Sequence, residues 1–212
     1  MDVHLGIDTW KRETVSNLVT KILKISPKPL ILIDGKAGSG KTSFAVKIAD
    51  ALGANIVASD DVAWWLDPIH WDDEMIEGII KPWLDGKNIE YKPPGWITNN
   101  REGFIKVDSS KALIIEGCGA CRKTLRQFAT YSIWIDTDPA LSRERVIQRD
   151  LANGENGGTL ESVTEFTDWW DSIADPFLLE EAAWKYTDII VSGSQSDLVS
   201  NILLVHSLSN PI

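Results

Sequence analysis

Cysteine is nearly absent from this 212-residue chain: Cys118 and Cys121 are the only two, too few for a disulfide framework. Histidine is scarce too, and His4, His70 and His206 are scattered. "CGAC" (118–121) therefore lacks the four ligands a structural zinc site wants. Small residues packed tightly after a strand are the preferred reading of that segment, over a metal or redox role. No apolar run approaches the ~20 residues needed to span a bilayer, so no membrane partner is expected. The N-terminus, "MDVHLGIDTWKRE", has no basic start followed by an apolar stretch, which argues against a secretory signal. Basic residues are outnumbered 21 to 31, giving a net charge of −10. That balance argues against a nucleic-acid partner, and against a polyanionic substrate unless basic residues are focused at one site. A cytoplasmic enzyme or switch fits these absences; they leave oligomeric state open.

What is present is ordinary for one globular domain over 1–212, with 43% hydrophobic and 25% charged residues. The exception is tryptophan, ten in all. Trp64, Trp65, Trp71, Trp83 and Trp96 fall between a glycine-rich loop and the next strong strand, and Trp169, Trp170 and Trp184 form a later cluster. Core packing is the default reading; some of these rings could instead wall a planar ligand.

Short apolar runs at 29–34, 54–59, 111–117, 131–136 and 187–191 read as five buried strands. Helical spacing covers 10–25, 41–52, 72–84, 138–152, 160–183 and 196–208, and "NGENGG" (153–158) reads as a flexible loop. Strands alternating with helices predict a three-layer α/β fold around a five-stranded parallel sheet. Residues 60–105 read as an insertion beside the sheet's active edge, and about 143–160 as a small lid.

Gly35-Lys36-Ala37-Gly38-Ser39-Gly40-Lys41-Thr42 satisfies G-x-x-x-x-G-K-[ST], with a strand before it and a helix after. Glycines let backbone N–H groups wrap a phosphate, and the helix presents its positive end to the same anion. Residues Gly35 and Ala37 to Ser43 are thus expected to hold ATP. Lys41 reaches the β- and γ-phosphates, and Thr42 ligates Mg²⁺. Glu116 ends the strand "LIIE", so strand-end convergence places it to help hold the metal; a plain surface position is the alternative. The pair Asp60-Asp61 ends another strand. A carboxylate there orients an acceptor hydroxyl and takes its proton late in transfer, unless the pair only caps a helix. Arg145 and Arg149 lie four residues apart, with Arg143 nearby, and read as cations closing over the transferred phosphoryl group. Their alternative is ion pairing to Glu144 or Asp150. No Asn-Lys-x-Asp guanine-reading motif occurs.

These features together resemble the P-loop nucleoside kinases, specifically the uridine–cytidine kinase group, from Leu30 to about Gly193. "SDD" (59–61) is similar to that family's strand-end aspartate, which implies Asp60 as the base, also near the metal, with Asp61 on the substrate side. "LDPIHWD" (66–72) resembles its Asp-rich segment and implies Asp67 at a substrate ribose. "DGKNIEYKPPGWITNNR" (85–101) resembles the stretch lining the acceptor site, which implies Tyr91, Trp96 and Arg101 around a planar base. "IIEG", "RERVIQRD", "DPF" and "KYTDIIV" follow in the family's order. The chain departs from the pattern at Val62-Ala63, at Asn99 where a histidine is usual, at Pro94 where a tyrosine is usual, and in "NGEN" in place of Arg-Gly-Arg. "IEGCGA" and the tryptophans look closer to bacterial uridine kinase-like proteins. The resemblance implies transfer from ATP·Mg²⁺ to a small-molecule hydroxyl, a nucleoside first. A non-nucleoside alcohol, or a nucleotide switch or slow ATPase with no small-molecule acceptor, are the alternatives.

Overall fold

A computed structural model describes residues 4–207. The central strands are β1 (Lys11–Thr14), β2 (Leu30–Asp34), β3 (Asn55–Ala58), β6 (Leu113–Glu116), β7 (Tyr131–Asp136), β8 (Ile189–Ser192) and β9 (Ile202–Ser207), in the order β1-β9-β8-β7-β2-β6-β3. The five strands from β8 to β3 are mutually parallel, as their apolar runs predict. The sheet nevertheless has seven strands, not five: β9 and β1 extend it antiparallel beyond β8. They correct two sequence expectations. The segment 196–208 is not a closing helix over its described residues. In "ILLVHS", Leu203 and Val205 are buried while Ile202, Leu204 and His206 are less so, the period-two alternation of a half-buried strand. The first helix, α1 (Val15–Ile25), starts at Val15 rather than Trp10, because Lys11–Thr14 pair with β9 and the Thr14 side chain accepts from Asn17 N–H as N-cap.

β2 is buried along its whole length, and its side chains alternate between two cores. Ile31 and Ile33 join α1 and α2 (Lys41–Leu52) through Leu18, Ile22, Phe44 and Ile48. Leu30 and Leu32 face the other core, with Trp71, Met75, Trp83, Trp96 and Trp134. Most of the tryptophans therefore pack, as Trp71, Trp83 and Trp134 are almost wholly enclosed, whereas Trp64, Trp65 and Trp169 stay exposed.

The insertion is a small lobe on this second face. It carries α3 (Ser59–Ala63), α4 (Asp72–Met75), a π turn (Ile76–Ile80), α5 (Lys81–Leu84), β4 (Ile89–Tyr91), α6 (Pro94–Thr98) and β5 (Ile105–Val107), with β4 and β5 paired as a hairpin. The helix expected over 72–84 is thus continuous but contains a π turn just before Pro82, whose ring nitrogen cannot donate to the ladder. After β6 come α7 (Lys123–Arg126), α8 (Pro139–Asn153) and the long α9 (Leu160–Glu181), which covers the second face.

Candidate active site

The phosphate-loop segment runs from the end of β2 into α2. Gly35, Gly38 and Gly40 all have positive φ, a conformation that L side chains seldom adopt. At Gly38 a Cβ would also collide with the Ser142 carbonyl oxygen of α8, so glycine is required for loop and lid helix to approach. No side chain caps α2, which leaves its first-turn N–H groups free for an anion. Ser39 is buried, Ala37 sits half-buried in the loop, and Ser43 is exposed on the first turn of α2. The Lys41 ammonium folds back to donate to the Lys36 carbonyl at 2.7 Å.

Beneath the loop lies a residue the sequence reading missed. The Asp34 carboxylate is fully buried and accepts backbone N–H bonds from Gly35 (2.7 Å), Gly119 (2.8 Å) and Cys121 (2.8 Å). One side chain thereby joins the phosphate loop to the turn after β6. That turn is "CGAC": both cysteines are buried free thiols, and burial pushes Cys118 up to about 12. An acid on the last residue of a buried strand was the available signal.

Three predicted residues converge at the loop's mouth. Thr42 donates to Glu116 at 2.9 Å. Glu116 is raised from its ordinary value, chiefly by burial; Lys41 and the Thr42 hydroxyl oppose the shift, and the charges of Asp60 and Asp61 add to it. Asp60 sits exposed in the first turn of α3. No backbone N–H bonds to the carboxylate of Asp60 or Asp61 among the described residues, and α3 has no side-chain cap, so neither carboxylate serves as a helix cap. The described residues contain no group of three His, Cys, Asp or Glu suited to hold an ion alone. A Mg²⁺ at Thr42 and Glu116, with Asp60 nearby, would share its coordination with phosphate oxygens and water, the usual arrangement for that ion. The hydroxyl and carboxylate present fit it.

The three arginines of α8 part company. Arg145 stays beside the loop, donating through both terminal nitrogens to Gly193 O at 3.2 Å. It helps line an open cavity of about 420 Å³ with Ser39, Gly40, Ser43, Phe44 and Leu198. Arg149 points elsewhere. It pairs with buried Asp150 at 2.8 Å, and Asp150 also accepts from Asn156, bracing the 153–158 turn. Arg143 bonds Asp168 of α9 at 2.7 Å and approaches Asp171 at 3.7 Å. Lys36 of the phosphate loop reaches the same helix, 2.9 Å from Asp175 and 3.8 Å from Asp171. Asp168, Asp171 and Asp175 recur at helical spacing, a signal that the sequence reading did not use.

The predicted acceptor residues divide in the same way. Trp96 is buried, and its Nε1 donates to Asp61 O at 2.7 Å. Asn100, at φ 54°, turns the chain back after α6, so Arg101 N–H bonds Trp96 O and the guanidinium lies over that ring. Gly95 permits the close pass of Trp64, whose carbonyl oxygen a Cβ there would strike. Arg101 ends between Trp64 (3.7 Å to the ring centroid) and Trp96 (3.6 Å), with Asp61 accepting from Nη2 at 3.1 Å. Asp61, Trp96 and Arg101 are thus one unit. Tyr91 and Asp67 are engaged elsewhere. The Tyr91 hydroxyl donates to Glu74, which with burial raises it well above its ordinary value. Asp67 accepts from Ile69 N–H (2.8 Å) and His70 N–H (2.9 Å) in its own turn, and those bonds lower it.

No protein-family model matches the sequence. No curated protein matches it either. Solved structures share the fold. A protein from Silicibacter sp. TM1040, provisionally described as a fructose transport system kinase, superposes with a TM-score of 0.51 at 18% identity, covering 72% of this chain and 89% of that one. An uncharacterised protein from Eubacterium ventriosum gives 0.50 at 14% identity, covering 82% and 92%. A Bacillus stearothermophilus protein, provisionally described as a uridine kinase, gives 0.44 at 18% identity over 77% and 92%, a score too low to establish a common fold. No helix of the described residues is long and apolar enough to cross a membrane. The chain is a three-layer α/β protein with a mostly parallel sheet, a fold shared with the Silicibacter protein.

Proposed function

We propose that the chain is a small-molecule kinase that moves the terminal phosphoryl group of ATP to an alcohol. The observation carrying this reading is the Thr42–Glu116 hydrogen bond at the mouth of the phosphate loop, with uncapped Asp60 on the next strand end. A nucleotide switch or ATPase would also use Thr42 and Glu116 on the metal side; the second acid, Asp60, is what an acceptor hydroxyl adds. ATP with Mg²⁺ supplies the phosphoryl donor and the charge that polarises it.

The loop's backbone N–H groups and Lys41 bind the phosphates, while Thr42 and Glu116 fix the metal side. Asp60 orients the acceptor hydroxyl and accepts its proton as the new O–P bond forms and the bond to the departing nucleotide breaks. Arg145, beside Gly40, offers positive charge to the transferring group, and the cavity next to it suits the donor's base. Arg149 would need to leave Asp150 to assist.

For the acceptor, the sequence resemblance favours a nucleoside. One geometric fact favours the non-nucleoside alcohol: the chain's own Arg101 fills the slot between Trp64 and Trp96 where a planar base would stack. ADP release from ATP·Mg²⁺, measured with and without a panel of nucleosides, nucleotides and small alcohols, decides between them. Stimulation by no compound would move the assignment to a nucleotide switch or slow ATPase.

A further inference from the structure

Arg101 is held unusually firmly for a residue that makes so few hydrogen bonds. Both faces of its guanidinium are covered by indole rings, and its backbone N–H is bonded to Trp96 O at 2.9 Å. A guanidinium clamped in this way can hydrogen-bond only along its edge, in the plane of its fork. Yet of its five N–H groups only the one on Nη2 toward Asp61 has a protein acceptor among the described residues. Nη1 is shut off from water with no partner, an expensive state for a cationic donor. Arg122, stacked on Trp71 and Phe177, also leaves one terminal nitrogen without a partner, but it spends the rest of its edge on Gly119 O, Ile69 O and Asp72. The single counter-charge of Arg101, Asp61, is itself 44% exposed in its side chain and adjoins the proposed base, Asp60.

We infer that Arg101 is an oxyanion receptor, and that the acceptor is an anionic alcohol whose carboxylate or phosphate binds the Arg101 fork while its hydroxyl lies at Asp60. Buried Trp96, itself held by its bond to Asp61 O, fixes the fork before the ligand arrives, so little order remains to be imposed on binding. Exposed Trp64, 42% accessible, forms the movable wall through which the anion reaches Nη1. Asp61 acts as a place-holder: it neutralises the fork in the free protein and yields part of it to the ligand. Adjacent residues hold the two ends, so the hydroxyl and the acid group belong to one compact molecule. As an identity for the acceptor this rests on the kinase reading; as an anion site it does not.

The test is a binding titration without ATP, following intrinsic tryptophan fluorescence with glycerate, glycerol 3-phosphate, glycerol and uridine as probes. A Lys41→Ala background weakens anion binding at the phosphate loop, and the Arg101 dependence assigns the remainder. The expected result is saturable binding of glycerate or glycerol 3-phosphate and none of glycerol, with Arg101→Met weakening it about tenfold or more and Arg101→Lys, which keeps charge but loses the fork, intermediate. Whichever anion binds more tightly identifies carboxylate or phosphate as the group. Asp61→Asn, which removes the fork's counter-charge and keeps the backbone carbonyl that Trp96 bonds, should tighten anion binding several-fold. Anion binding unchanged in Arg101→Met, weakened in Asp61→Asn, or absent altogether would overturn the inference, as would uridine binding that ignores Arg101. Phosphoryl transfer to any neutral alcohol in the ATP assay would then still leave the kinase reading standing.

Discussion

Thr42 donates its hydroxyl to Glu116 across 2.9 Å, tying the first turn of α2 to the end of β6. The two residues are 74 positions apart, and the parallel pairing of β2 with β6 brings them together. The carboxylate sits in a buried place near two further acids, so this corner costs stability, a cost that the proposed metal site would explain.

That trade has a testable sign. Glu116 is raised by burial above its ordinary 4.5, so the folded state binds its proton more tightly than the unfolded one. Stability from this group is present below the unfolded value and lost as pH rises through the folded value. Glu116→Gln should therefore raise the melting temperature by about 2–4 °C near neutral pH and change little below about pH 4, while losing Mg²⁺-dependent transfer. Melts at both pH values, with a transfer assay, check it; a destabilised variant at neutral pH would count against the raised carboxyl.

Asp60→Asn keeps the side chain's size and removes the proton acceptor. ATP affinity should hold, and turnover should fall by roughly a hundredfold or more. Nucleotide titration beside the ADP-release assay separates the two, and a fully active variant would remove Asp60 from the chemistry.

Asp175→Asn cuts the ion pair between α9 and Lys36 of the phosphate loop. With less negative charge facing the phosphates, ATP should bind a few-fold more tightly, at a cost of about 1 kcal/mol in urea unfolding. Weaker ATP binding would mean that α9 is needed to shape the loop.

Tyr91→Phe deletes the bond to Glu74 and leaves the ring in place. Loss of about 1 kcal/mol of stability with the acceptor KM unchanged is the expected pattern. A KM shift of tenfold without loss of stability would instead return Tyr91 to the acceptor site.

Asp34→Ala should be the most damaging of these changes to folding. Three buried N–H groups lose their acceptor together, each worth about 1–3 kcal/mol when left unpaired. Soluble yield and thermal melting will show it, and a variant as stable as the parent would mean that the three donors find other partners.

Several features were legible because their causes are local in the chain. The five parallel strands show as apolar runs such as "LILID" and "LIIE", since a strand buried on both faces needs apolar side chains throughout. The phosphate loop is legible because its positive φ angles demand glycine at set positions. Strand β9 was harder: in "NILLVHS" the apolar residues suit both periods, and only pairing with β8 and β1 selects the strand.

The sequence by itself determined the α/β alternation, the glycine-rich loop between β2 and α2 and the strand-end acids Asp60 and Glu116, because each follows from neighbours within a few residues. Only the tertiary structure decided which charges meet. Arg145 and Arg149 are alike in sequence, but one faces Gly193 and the other buried Asp150. Arg101 and Asp61, 40 residues apart, form one unit because a turn at Asn100 and the pass of Trp64 over Gly95 close around them. Ion pairs and aromatic stacks act over a few ångströms of space, and separation along the chain does not encode that distance.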